Sequence, residues 1–108
     1  MSMSLSEIQK QVDEYTKQFD PQYWTPHEIL ARLLEENGEL AREINHLYGP
    51  KKKKSTEELN SLSGEIGDII FTICCLANSK GIDLSEAFKK TMEKYYQRDK
   101  DRFNKAKE

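Results

Sequence analysis

The sequence predicts an all-α subunit built as a four-helix bundle, and three observations carry that expectation. Helix-start signals recur along the chain: Ser4-x-x-Glu7, Thr25-x-x-Glu28, Ser55-x-x-Glu58 and Asp83-x-x-Glu86 each pair a capping side chain with an acid three residues later. Apolar residues between these signals return at three- and four-residue steps, the period of one helix face. No strand signal competes with this pattern.

The first helix carries Leu5, Ile8, Val12, Tyr15 and Phe19 at helical spacing and stops before Asp20-Pro21, because the residue ahead of a proline disfavours helical geometry. A second helix starts at Thr25 with Pro26 in its first turn, where the missing N–H costs nothing, and runs to about Tyr48 before Gly49-Pro50. The lysine run Lys51 to Lys54 fills the following loop and reads as solvated. A third helix is expected from about Thr56 to Ser79, closed by Lys80-Gly81. Its segment Ile66 to Ala77 is apolar nearly all round, more than one small bundle can cover, so the side bearing Gly64, Gly67 and Phe71 is expected to pack on another subunit. The fourth helix is capped by Asp83 and runs to about Arg102, with Leu84, Phe88, Tyr95 and Phe103 toward the core.

Composition narrows the class. A chain of 108 residues with 33% charged and 36% hydrophobic residues suits one domain over residues 1–108. The net charge of -2, with both signs mixed, argues against a nucleic-acid partner. No uninterrupted apolar run approaches the ~18 residues of a membrane span and the N-terminus lacks an export pattern, so a cytoplasmic protein without a membrane partner is expected. Cys74 and Cys75 are adjacent, a poor geometry for mutual bridging, and read as core residues.

Against this background two acidic clusters stand out, Glu35-Glu36-x-x-Glu39 and Glu65-x-x-Asp68, each inside an otherwise apolar helical stretch. At about 3.6 residues per turn, Glu36 and Glu39 share one side of a helix, as do Glu65 and Asp68. Glu36 falls beside Ile29, Leu33, Leu40 and Leu47, and Glu65 beside Leu62, Ile69 and Leu76, so both point toward the packed side. Carboxylates there are costly unless a cation neutralises them. An all-oxygen donor set favours Mg²⁺, with Mn²⁺ as a substitute, and Mg²⁺ commonly completes its shell with water and substrate phosphates. A phosphate compound is the expected substrate.

The ordered pair of clusters on two helices resembles the MazG-type all-α nucleoside triphosphate pyrophosphohydrolases. The resemblance runs from about Trp24 to Arg98, with EENGEL and GEIGDIIFTICCLAN as its most specific parts. It implies hydrolysis of a nucleoside triphosphate between the α and β phosphates, dependence on Mg²⁺, and a homo-oligomer, dimer or tetramer. It also implies Glu36, Glu39, Glu65 and Asp68 as metal ligands and Lys94 as a functional cation. The family often has asparagine two residues before that lysine, where this chain has Met92.

Other site candidates come with a bland alternative beside them. Glu35, one position off the face that Glu36 and Glu39 share, reads equally as a catalytic base or a helix-surface charge. Lys90, Lys94 and Arg98 form a ladder that suits a leaving pyrophosphate, or a solvated basic face. Trp24, with Tyr23 and His27, could contact a base, or Trp24 could staple the helix entry. Asn78 could reach substrate or satisfy a helix end. The motif Glu43-x-x-His46 occurs once where a di-iron bundle needs two copies, and reads as helix surface. Beside the enzyme stands a different class of function, a non-catalytic nucleotide-sensing or protein-interaction module.

Overall fold

The computed structural model describes residues 2–50, 62–103 and 106, which form four α-helices and no strand. These are α1 (Leu5–Thr16), α2 (Pro26–Tyr48), α3 (Leu62–Ser79) and α4 (Leu84–Asp99). The lysine run, the Ser55-x-x-Glu58 cap and the expected start of the third helix lie outside the described residues.

The helix ends follow local chemistry. Ser4 Oγ accepts from the Glu7 amide at 3.1 Å while Glu7 Oε1 accepts from the Ser4 amide at 2.9 Å, and Thr25 and Glu28 make the same reciprocal pair at 3.3 and 3.0 Å. Asp83 caps α4 by accepting from the Ser85 amide at 3.0 Å. Helix α3 closes through Gly81, whose φ of +66° lets the Ile82 amide reach Ala77 O at 2.9 Å and the Gly81 amide reach Asn78 O at 3.2 Å. Gly49 ends α2 where a Cβ would sit 2.7 Å from Asn45 O. Helices α1 and α4 are each three residues shorter than expected, ending at Thr16 and Asp99. The residues after Thr16 instead turn back to wall a cavity.

Packing runs in series, with α2 against α3, α3 against α1, and α1 against α4. Among the described residues the buried apolar side chains are Val12, Ile29, Cys74 and Ala77. Helix α4 buries none of its residues, so the expected core positions Phe88, Tyr95 and Phe103 are in fact solvent-facing; Phe88 is 56% exposed. The radius of gyration is 17.6 Å, against about 13 Å for a compact chain of this length. Periodicity shows which residues share a face of α4, but not that the subunit leaves this face uncovered.

Polar side chains make the α1–α3–α4 junction. Gln9, buried on α1, donates to Asn78 Oδ1 at 2.9 Å and to Ile82 O at 2.8 Å, and accepts from the Leu84 amide at 2.7 Å. Ser6 Oγ adds bonds to Asp83 Oδ1 and Ser85 Oγ at 3.0 and 2.9 Å. By length and composition alone α3, with 18 residues and a mean hydropathy of 1.2, is long and apolar enough to cross a membrane, a property that core helices of soluble proteins share. The segment from Ile66 onward raises that average, although Glu65 and Asp68 interrupt the apolar run.

Candidate active site

The α2–α3 pairing brings the two acidic clusters together. One carboxylate oxygen from each of Glu36, Glu39, Glu65 and Asp68 lies within 4.8 Å of the others. Glu36 and Glu65 are 1% and 4% exposed, while Glu39 and Asp68 face outward, so the group is closed below and open above. Glu36 Oε2 and Glu65 Oε2 are buried with no hydrogen-bond partner. Burial pushes the Glu36 carboxyl above the usual carboxylate range; nearby Arg32 opposes the shift, and Glu39 and Asp68 add to it. Glu65 is raised in the same way, by burial first and then by Glu39. Two orphaned buried oxygens in an all-oxygen set fit a hard divalent cation, which would offset both the lost solvation and the repulsion.

A cavity of about 580 Å³ adjoins the carboxylates, a size typical of small-molecule sites. Tyr15, Phe19, Trp24 and Phe71 line it together with Arg32, Glu36, Asp68 and Cys75. Tyr15 meets Phe19 and Phe71 edge-on, with ring centroids 5.5 and 6.0 Å apart. Trp24 is 55% exposed on the cavity wall, at the mouth of α2. The wall between α1 and α2 is held from behind: Tyr23 donates its hydroxyl to Asp13 Oδ1 at 2.5 Å and accepts from Asn78 Nδ2 at 3.1 Å, and Gln22 Nε2 bonds Asp13 Oδ1 and Thr16 Oγ1 at 3.0 and 3.2 Å.

The remaining candidates fall elsewhere. Asn78 is engaged with Gln9 and Tyr23 behind the wall and does not line the cavity. His27 is exposed in the first turn of α2 and Glu35 is exposed on α2, both outside the lining. Lys90, Lys94 and Arg98 are exposed on α4, away from the cavity; Lys94 and Arg98 lie 5.2 and 4.8 Å from the Tyr95 ring, and Arg98 also bonds Asp99 at 2.8 Å. Two readings need correction. Glu43 is 4% exposed rather than helix surface, because Ile29, Glu36 and Glu43 recur every seven residues on the buried face of α2. Cys75 lines the cavity rather than the core, while Cys74 alone is fully buried. Burial pushes the Cys75 thiol up to about 11, which leaves it protonated near neutrality. Arg32, which the sequence reading passed over, is the cationic side chain in the cavity lining among the described residues. Its signal was present as an i,i+4 spacing to Glu36.

A helical subunit that gathers four carboxylates beside an aromatic cavity fits the class of metal-assisted hydrolases. Residues 24–103 match the MazG nucleotide pyrophosphohydrolase domain, and the chain belongs to that family. It is a hydrolase acting on the anhydride bonds of nucleoside triphosphates, in a family that generally depends on divalent metal. The chain is 50% identical over 105 residues to the uncharacterized protein YpjD of Bacillus subtilis (strain 168), covering 97% of this chain and 95% of the relative. The crystal structure of Bacillus subtilis YpjD superposes with a TM-score of 0.79 at 48% identity, over 88% of this chain and 97% of that one. That of the Bacillus-conserved MazG protein, a nucleotide pyrophosphohydrolase, gives 0.78 at 44% identity over 94% and 98%.

Proposed function

We propose that this chain is one domain, residues 1–108, which cleaves a nucleoside triphosphate between the α and β phosphates, releasing a nucleoside monophosphate and pyrophosphate. The observation that carries this reading is the juxtaposition of four carboxylates, two with orphaned buried oxygens, and an aromatic cavity large enough for a nucleotide. Glu36, Glu39, Glu65 and Asp68 would hold Mg²⁺. Bound there, the ion supplies charge compensation for the triphosphate, polarisation of a phosphoryl oxygen and a more acidic water.

The chain's own residues set the rest. Trp24, Tyr15, Phe19 and Phe71 offer flat apolar surface for a base. Glu35, on the exposed side of the acidic cluster, is the candidate to take a proton from the attacking water. Lys90, Lys94 and Arg98 would meet a triphosphate only in an assembly that sets α4 against a neighbouring subunit's cavity. Such an assembly, a homo-oligomer, is supported by the extended subunit and by exposed Ile66, Ile70 and Ile73 along one side of α3. A cytoplasmic location, and a role in clearing unwanted nucleotides from the pool, follow from this reading.

The test is incubation of the purified protein with a panel of ribo- and deoxynucleoside triphosphates, with and without Mg²⁺, and chromatography of the products. Monophosphate and pyrophosphate formed only with Mg²⁺, and lost in Glu39→Gln, are expected. Diphosphate and inorganic phosphate would overturn the assigned bond, and no turnover of any nucleotide would favour the sensing or interaction module.

A further inference from the structure

Arg32 stands one helical turn before Glu36, and its Nη2 lies 2.7 Å from Glu36 Oε1. The two partners differ sharply in exposure: the carboxylate side chain is 1% exposed and the arginine side chain 48%. Glu36 is therefore fixed, while the guanidinium sits at the cavity wall on a flexible stem. This ion pair occupies one oxygen of a carboxylate whose other oxygen has no partner. A divalent cation bound to the same carboxylate and a guanidinium at hydrogen-bond distance would repel one another, to an extent that the half-exposed position of Arg32 moderates. The planar fork of arginine also matches phosphate oxygens, and no other lysine or arginine lines the cavity among the described residues.

We propose that Arg32 serves two anions in turn, neutralising Glu36 while the carboxylates are cation-free and yielding it on cation binding to hold a phosphate group of the nucleotide in the cavity. The inference rests on the metal and nucleotide reading above and adds a residue and an order of events to it. Arg32 then acts against metal binding and for phosphate binding, so its removal moves the two affinities in opposite directions. A purely structural ion pair has no such signature, because losing it would weaken both or neither.

The experiment titrates the full chain with Mn²⁺ alone, followed by electron paramagnetic resonance of free Mn²⁺, and then titrates the Mn²⁺-saturated protein with pyrophosphate by calorimetry. Wild type, Arg32→Gln and Arg32→Lys are compared, with circular dichroism confirming helix content. In Arg32→Gln, Mn²⁺ binding is expected to tighten roughly two- to fivefold, the scale of a partly exposed ion pair. Pyrophosphate binding is expected to weaken about tenfold or more, the scale of a lost charge-assisted bond. Arg32→Lys, which keeps the charge without the fork, falls between. Mn²⁺ affinity that is unchanged or reduced in Arg32→Gln would overturn the inference and leave the metal site standing, as would unchanged pyrophosphate affinity. Absence of Mn²⁺ binding by wild type would overturn the metal reading itself, and this inference with it.

Discussion

Buried carboxylates without a cation make the acidic cluster a liability that pH should expose. Burial raises Glu36 and Glu65, so the folded chain holds protons that the unfolded chain releases. Stability from such groups is complete below their unfolded pKa and is lost as pH rises through the raised folded values. Glu7, Glu28 and Asp99 are shifted downward, and their contributions fade only as pH falls through their lowered values. The melting temperature of chelator-treated protein is therefore expected to fall as the pH rises above the ordinary carboxylate range, and Mg²⁺ to restore it there; a profile flat in pH and indifferent to Mg²⁺ would contradict this. Asp68→Asn removes one of the repelling charges and should abolish turnover while raising the Tm of the metal-free chain. Trp24→Ala should mainly raise KM, because this half-exposed ring lines the cavity without supporting the core. A drop in Tm with KM unchanged would make it a staple instead.

At the scale of elements, the sequence rules performed well where the cause is local. The caps at Ser4 and Thr25 and the glycine stop at Gly81 depend on neighbours three to five residues away, and all are formed. Gly81→Ala should cost about 1–2 kcal/mol, the penalty for a Cβ in left-handed backbone, read as a lower Tm at unchanged helix content. Gln9 shows where local rules stop. It looks like an ordinary polar position on an amphipathic helix, yet it holds Asn78, Ile82 and Leu84 at once, which fixes the α3–α4 turn on α1. Gln9→Ala removes the partner of two part-buried acceptors and of one amide and should destabilise the fold by roughly 1–3 kcal/mol. Hydrogen exchange should show the loss first in α4, which has no buried residue of its own to hold it.

For the whole molecule, the question is what covers the apolar side of α3. Gly67 meets nothing within 4 Å of a built Cβ, and Ile66, Ile70 and Ile73 are exposed nearby. On a free helix face Gly67→Ala should stabilise by about 0.5–1 kcal/mol through the unfolded chain; against a closely packed second copy it should instead weaken association. Light scattering of wild type and Gly67→Ala separates the two, and the oligomer reading requires a wild-type mass of at least two subunits and a variant that dissociates more readily. The sequence by itself determined the all-α class, the described ends of α1, α2 and α4 and the end of α3 to within a few residues, and the pairing of the carboxylates along each helix, because hydrogen-bonded turns, caps and helical period are set by near neighbours. Only the tertiary structure decided that the two carboxylate pairs converge within 4.8 Å, that Glu43 is buried, that Arg32 rather than the α4 ladder lines the cavity, and that α4 leaves its aromatic residues in solvent. Those outcomes depend on which helix packs on which, and a helical repeat marks a face without naming the surface that meets it.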